Sequence, residues 1–277
     1  MDKTLNLKVW VNGKIIDQDK AVVSALSPGF QYGAGLFETM RVDNGKIFYL
    51  KEHVERLNSA WEKLFFQSPP YIDWGSVIDA LIKENNLQDQ TAVVKLLVSK
   101  ESQNSDEKIF LAAFVRQYTH RLEMLNQKGL NLITYPEARQ TPLADYKTLN
   151  YLYYDRAGQF AKSCGGDEAV ILNADFTISE TNTASIFALK DKTIIVPESL
   201  YVLNGVTINS ILTILSDKGY GISQKPIHKD QFYLHSNIIV ANALMGAVKV
   251  LTIDGKKIEQ KHEICSMLNK QLFKIDK

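Results

Sequence analysis

Two Asn-Gly pairs constrain the first fifty residues more than any other feature of the chain. In "KVWVNGKIID" and "MRVDNGKIFYL" the pair sits between β-branched and aromatic runs. Both turn residues must accept positive φ, the geometry of a two-residue hairpin whose twist matches that of its strands. An antiparallel meander is therefore expected over this stretch. In "YLKEHVERLNSAWEKLF", Leu50, Val54, Leu57, Trp61 and Leu64 then recur at helical spacing and predict an amphipathic helix over 51–66. Pro69 and Pro70 interrupt the pattern, and a second helix is expected over 74–86. "QTAVVKLLVSK" and "KIFLAAFVRQ", parted by the polar loop "ESQNSDE", read as paired strands.

A chain of 277 residues is long for one core, and the strand pattern lapses over "YTHRLEMLNQKG". The expected organisation is an N-terminal α+β domain over 1–118, an interdomain connection over 119–129 and a C-terminal α+β domain over 130–277. In the second domain "LNLITY" reads as a strand and the segment "TPLADYKTLNYLYYDRA" as a helix. "DEAVILN", "ASIFALK", "KTIIVP", residues 221–227, "NIIVANAL" and "VKVLTIDGKKI" read as strands. Residues 205–218 and "EICSMLNKQLFKI" read as helices. For two α+β domains, the cleft between them is the default place for a ligand.

Charge removes several function classes. The 32 basic and 31 acidic side chains leave a net charge of +1, which creates no field to attract nucleic acid or an anionic membrane. The N-terminal residues lack a continuous apolar run, and no stretch approaches the roughly 18 apolar residues of a membrane span, so a cytoplasmic protein is expected. Cys164 and Cys265 have neither metal-ligand spacing nor a disulfide framework. His53, His120, His228, His235 and His262 are scattered, and no metal site is expected.

Lys147 stands out in "TPLADYKTLNYL" because a lysine among tyrosine and leucine is costly unless its amine is kept neutral, and a neutral amine is what carbonyl condensation requires. Other candidates have ordinary explanations when taken singly. Gly33 and Gly35 in "YGAGLFETM" suit a tight turn between strands as well as a phosphate loop. Glu180 in "ISETNTASIF" is by itself a solvated loop carboxylate. Val206 and Thr207, after Gly205, begin a helix whose amides can bind an anion or simply be capped. Arg56, one helical turn from His53, is by itself a surface arginine. Together, a lysine, an arginine, an anion site and a carboxylate meet the needs of pyridoxal 5′-phosphate (PLP): an amine for the aldehyde, a cradle for the phosphate and an acid partner for the ring nitrogen.

"PLADYKTLNYL", "DEAVILNADFTISETNTASIF", "LNGVTINSIL" and "IIVANALMG" resemble, in order and spacing, the fold-type IV PLP enzymes of the class IV aminotransferase family. The resemblance runs from about residue 8 to 255. It implies a two-domain α+β fold like that of D-amino acid aminotransferase, with the site in the interdomain cleft. It also implies a small-molecule amino substrate and a homodimer. Lys147 is implied as the residue joined to PLP and the proton shuttle, and Glu180 as the partner of the pyridine nitrogen. Arg56, Val206 and Thr207 are implied as phosphate ligands, and Asn242 as a further polar group on the phosphate or substrate side. Tyr32, Phe37 and Tyr151 match pocket-lining positions. Where the D-amino acid enzymes carry an Arg-x-His arrangement, this chain reads Lys100, Glu101, Ser102, which speaks against a D-amino acid substrate. The compact "KTLNYL" and the "NALM" tetrapeptide resemble the 4-amino-4-deoxychorismate lyases, so the leading expectation is a lyase forming 4-aminobenzoate and pyruvate for folate synthesis, with Thr39 assisting proton transfer. The alternative is an amino acid aminotransferase of branched-chain type.

Overall fold

The structure of the protein, a computed structural model, describes residues 7–102, 108–139, 141–260 and 263–275. The chain divides into two units: Met1–Thr119 with Tyr146–Asn150, and His120–Asp145 with Tyr151–Lys277.

The first unit contains β1 (Lys8–Val11), β2 (Lys14–Asp17), α1 (Pro28–Tyr32), β3 (Gly35–Asp43), β4 (Lys46–Ile47), α2 (Leu50–Phe65), α3 (Trp74–Glu84), β5 (Thr91–Lys100) and β6 (Ile109–Gln117). Its six strands form a sheet in the order β2-β1-β6-β5-β3-β4, with every pairing antiparallel. Both expected hairpins are present. Asn12 and Gly13 turn between β1 and β2 at φ of 47° and 91°, and Asn44 and Gly45 turn between β3 and β4 at 46° and 77°. Most of the polar loop between β5 and β6 lies outside the described residues.

Strand alternation gives this sheet two chemically different faces. Leu36, Met40, Val42, Val94, Leu96, Val98, Leu111, Ala113 and Val115 form one core with Leu57, Ala60 and Trp61 of α2 and Trp74, Ile78 and Leu81 of α3. Full burial of a single Leu or Ile side chain contributes about 1.5–3 kcal/mol. The helices are thereby fixed to that face. The residues between these positions, Phe37 and Thr39 on β3 and Lys95 and Leu97 on β5, belong to the opposite face.

The second unit contains α4 (Arg121–Leu125), β7 (Leu130–Thr134), α5 (Leu152–Ser163), β8 (Glu168–Leu172), β9 (Ile178–Thr181), β10 (Ser185–Lys190), β11 (Thr193–Pro197), α6 (Val206–Ser216), β12 (Gly221–Lys225), α7 (Lys229–Phe232), β13 (Ile238–Asn242), β14 (Gly246–Ile253), β15 (Lys256–Lys257) and α8 (Ile264–Leu272). Its sheet runs β12-β11-β10-β13-β14-β7-β8-β9, with β15 added to β14. The pairs β11/β12, β7/β14 and β7/β8 are parallel and the others antiparallel. Leu130, Leu132, Val170, Ile178, Ile186, Val240 and Val250 form its main core with Phe232.

Three expectations need correction. Residues 119–129 are not a separate connection, because all but Thr119 fall in the second unit and α4 lies among them, ended by Asn126 at φ 51°. Tyr146–Asn150 belongs to the first unit although it lies within the expected C-terminal domain. Lys147 is not on a helix: Pro142–Asp145 make a single 3₁₀ turn and α5 starts only at Leu152. The reason is hydrogen bonding. The Phe37 N–H donates to the Lys147 carbonyl at 2.9 Å, and the Leu149 N–H donates to the Gly35 carbonyl at 2.9 Å. Leu36 and Thr148 form a bridge between these bonds. The edge of β3 thus engages the groups that a helix would have used.

Candidate functional site

Within the first unit, pairing along β3 sets the direction of Lys147. Because Leu36 lies opposite Thr148, Lys147 lies beside Phe37 and shares its face of the sheet. Lys147 Nζ stands 4.4 Å from the centroid of the Phe37 ring, within cation–π range. Phe37 is buried. Gly33 and Gly35 make room for the segment. Gly33 ends α1 at φ 65°, so the glycine pair separates a helix from a strand rather than two strands. A Cβ at Gly33 would lie 2.7 Å from Asn150 Oδ1, and one at Gly35 would lie 2.8 Å from Leu149 Cδ1 and 2.6 Å from the Val98 carbonyl oxygen.

Arg56 is on α2 and reaches Glu38 on the helix-covered face. Its Nε and Nη2 donate to the two Glu38 carboxylate oxygens at 2.8 and 2.7 Å, a fork geometry that fixes the guanidinium plane. His53 Nδ1 lies 2.8 Å from Glu38 Oε2, and a carboxylate can only accept, so the imidazole donates there. Burial by itself would raise the Glu38 carboxyl; the His53 hydrogen bond and the Arg56 charge outweigh it and hold the carboxyl at about 2. His53 Nε2 is buried without a hydrogen-bond partner among the described residues. Thr39 lies opposite Lys95 of β5, whereas Tyr32, at the end of α1, is 63% exposed.

Within the second unit, Glu180 is a strand residue of β9 and is only 6% exposed. Its Oε1 accepts from Arg139 Nη1 at 2.6 Å and from the Tyr154 hydroxyl at 3.0 Å. Arg139 Nη1 also donates to the Tyr154 oxygen, so the three groups close a triangle. Arg139 Nη2 is held by Ser179 Oγ and the Tyr201 carbonyl at 2.9 and 2.7 Å. Burial opposes the charge of Arg139, but the carboxylate of Glu180 more than offsets it and raises the pKa of the guanidinium. The Tyr154 hydroxyl is held far above its ordinary range by burial and then by the charge of Glu180. Tyr151 stacks on Tyr154 with ring centroids 5.0 Å apart and donates to the Asn182 carbonyl at 2.8 Å.

The first turn of α6 has no side-chain cap at Gly205, and Val206 and Thr207 are both buried. A Cβ at Gly205 would lie 2.9 Å from Ser185 Oγ and 3.1 Å from Ile208 Cγ2, so a larger residue would require these side chains to shift. An uncapped helix start presents N–H groups and the positive end of the helix dipole. Asn242 shapes a turn. Its Oδ1 accepts from the Leu244 and Met245 amides at 3.0 and 2.8 Å, and its Nδ2 donates to the Thr183 carbonyl at 3.3 Å. Sequence reasoning misses Glu38, Arg139 and Tyr154. The positions of Glu38 and Arg139 in "GLFETM" and "ARQTPL" are ordinary, and only their buried partners distinguish them. Among the described residues, no group of three or more His, Cys, Asp or Glu could hold a metal, and no helix is long and apolar enough to cross a membrane.

These features can be set beside known proteins. The profile of class IV amino-transferases matches residues 35–253. A probable branched-chain-amino-acid aminotransferase of Rickettsia felis is 28% identical over 96% of this chain and 95% of its own. D-alanine aminotransferase of Bacillus licheniformis is 26% identical over 91% of this chain and 90% of its own. The crystal structure of the Escherichia coli branched-chain amino acid aminotransferase superposes with a TM-score of 0.87 at 19% identity, covering 97% of this chain and 94% of that one. A PLP-bound hypothetical aminotransferase of Mycobacterium tuberculosis gives 0.85 at 18% identity, covering 96% and 97%. With a match over most of its length and the same fold, the chain belongs to the class IV aminotransferase family.

Proposed function

We propose that the protein is an amino acid aminotransferase of branched-chain type, passing an amino group from an amino acid to a 2-oxo acid. The observation that carries this reading is that relatives named as branched-chain aminotransferases align with nearly the whole chain. The lyase expectation rests on "KTLNYL" and "NALM", two short segments, and near-full-length similarity to proteins named aminotransferases outweighs them.

As a class IV aminotransferase the protein is a PLP-dependent enzyme, and its residues fit that cofactor. Lys147 supplies an amine, the uncapped α6 and Gly205 supply an anion cradle, and Glu180 supplies a buried carboxylate with a fixed direction. PLP, when bound, supplies an aldehyde that condenses with amines and a ring that accepts the electrons of a broken Cα–H bond.

The remaining chemistry falls to the chain. Lys147 Nζ would hold the cofactor's aldehyde, and its amine would carry the Cα proton of the substrate. Glu180 holds a proton on the ring nitrogen, and Arg139 and Tyr154 keep its carboxylate aimed. The amides of Val206 and Thr207, the Thr207 hydroxyl and Arg56 hold the phosphate, with Glu38 and His53 fixing the position of Arg56. Phe37 and Tyr151 supply apolar walls. Thr39 and the exposed Tyr32 have no step in this reading, and Asn242 acts through the turn that it caps.

Purified protein given leucine and 2-oxoglutarate should form 4-methyl-2-oxopentanoate and glutamate, with neither substrate turned over alone. Release of 4-aminobenzoate and pyruvate from 4-amino-4-deoxychorismate without a 2-oxo acid, and no leucine-dependent reaction, would return the assignment to the lyase. Lys147→Ala should abolish both activity and the visible absorbance of bound PLP.

A further inference from the structure

Arg139 and Glu180 face each other with side chains only 4% and 8% exposed, so the charge of each depends on the other more than on water. Arg139 Nη1 donates to Glu180 Oε1 at 2.6 Å. The remaining partners of Arg139 are neutral. Nη1 also meets the Tyr154 oxygen, Nη2 meets the Ser179 hydroxyl and the Tyr201 carbonyl, and Nε has no partner among the described residues. Among the described residues Glu180 is thus the one anion paired with this guanidinium. The phenols beside the carboxylate bring no further charge. Tyr154 donates to the same Oε1 at 3.0 Å, while Tyr151 stacks on Tyr154 and gives its hydroxyl to the Asn182 carbonyl. Burial first, and then the charge of Glu180, hold both hydroxyls far above their ordinary range, so both stay neutral.

In the reading of Glu180 as partner of the cofactor's ring nitrogen, on which this inference rests, one proton lies between a carboxylate and a pyridine. Water would stabilise the charged pair, in which the nitrogen holds the proton. A buried site favours the uncharged pair, in which the carboxyl holds it. Hydrogen bonds that aim the carboxylate do not decide between the two, whereas a fixed cation does. At hydrogen-bond distance the guanidinium favours the carboxylate over the acid; it also repels a protonated ring, but from farther away, so the nearer interaction prevails. We propose that Arg139 keeps this proton on the ring nitrogen, acting through Glu180 as a positioning residue. Without Arg139, Glu180 would still face the nitrogen, but as a carboxylic acid. The ring would then draw electrons from Cα weakly, because its protonated form is the one that accepts them well.

The test uses wild type, Arg139→Gln, Arg139→Lys, Tyr154→Phe and Glu180→Gln, each loaded with PLP isotopically labelled at its ring nitrogen. The NMR chemical shift of that nitrogen is read at neutral pH; it lies upfield when the nitrogen is protonated and downfield when it is bare. Wild type should give the protonated signal, and Arg139→Gln, which keeps a donor but no charge, the bare one. Arg139→Lys should restore the protonated signal, and Tyr154→Phe should keep it, because the phenol supplies only a neutral donor. In turnover of leucine with 2-oxoglutarate, kcat of Arg139→Gln should fall by ~100-fold, the scale of one preorganised electrostatic contact, with the KM for leucine changed much less. A protonated signal in Arg139→Gln, or a bare one in wild type, overturns the proposal. Loss of the proton in both Arg139→Lys and Tyr154→Phe also overturns it, since the effect would then lie in hydrogen bonding and not in charge. Should thermal melting show Arg139→Gln unfolded, Arg139→Met replaces it with the same expectations. Failure of the underlying reading looks different. Wild type that takes up no labelled PLP, or an unchanged nitrogen signal in Glu180→Gln, sinks the role of Glu180 and the Arg139 proposal with it. An altered signal in Glu180→Gln beside an unaltered one in Arg139→Gln sinks the Arg139 role alone.

Discussion

Glu38 is 1% exposed and accepts from both His53 and Arg56, so its charge is stable only while those donors stay in place. Removing one partner of a buried pair costs about 3–5 kcal/mol. Because Arg56 is partly open to solvent, at 17% side-chain exposure, Glu38→Gln should cost less, on the order of 2–3 kcal/mol in urea unfolding. The sign of the pH effect follows from the direction of the shift. Folding lowers the Glu38 carboxyl from its ordinary value of 4.5 to about 2, so its contribution is fully present above pH 4.5 and is lost as pH falls toward 2. Wild type should therefore lose stability over that window, and Glu38→Gln should lose visibly less; equal losses would show that Glu38 does not set the acid sensitivity. At this scale Lys147 and Glu180 are legible because each is an ionisable residue in a motif with few other charges. Glu38 and Arg139 are not, since their partners lie 18 and 41 positions away and nothing local marks them.

The element that matters most is the short extended run from Tyr146 to Asn150, which lies along β3 and takes Lys147 with it. Gly35 is its point of closest approach, and a Cβ there would lie 2.6 Å from Ser99 Cβ and 2.8 Å from Leu149 Cδ1. Gly35→Ala should therefore force the run off the strand, costing about 1–3 kcal/mol as overpacking and sharply lowering both PLP retention and activity. Gly45 in the β3–β4 hairpin is a suitable control. Its added Cβ would meet only the Gln88 carbonyl oxygen at 3.9 Å, and the strain there comes from φ of +77° alone. Gly45→Ala should cost about 1 kcal/mol with activity retained, as read by thermal melting and turnover. Hairpins and amphipathic helices are legible because their signals are local: a turn dipeptide, or a repeat of apolar positions. The Lys147 run reads as a helix because its leucines and tyrosines satisfy that repeat, while the strand edge that captures it lies more than a hundred residues earlier.

Across the whole chain, the stretch expected as a connection proves to be part of the second unit. Arg121 of α4 donates to Glu168, which is fully buried, and to the Asp167 carbonyl. Thr181 and Thr183 donate to the same carboxylate, so one arginine joins α4 to β8 and to the end of β9, next to Glu180. Arg121→Ala leaves that carboxylate short of its charged donor and should destabilise the protein by about 3 kcal/mol, seen as a lower urea midpoint; a loss below about 0.5 kcal/mol, the size of a surface effect, would show that α4 is only a tether. Local pattern, and motifs read in order, suffice for the α+β class, the hairpins, most of the strands and the family. The folded chain alone establishes that the run carrying Lys147 is bridged to the edge of β3, that Glu38 fixes Arg56, that Arg139 fixes Glu180 and that Lys95 shares an aromatic ring with Lys147. Each of these is a pairing between distant segments, in which a strand edge or a buried charge is satisfied by a group that sequence order does not place beside it.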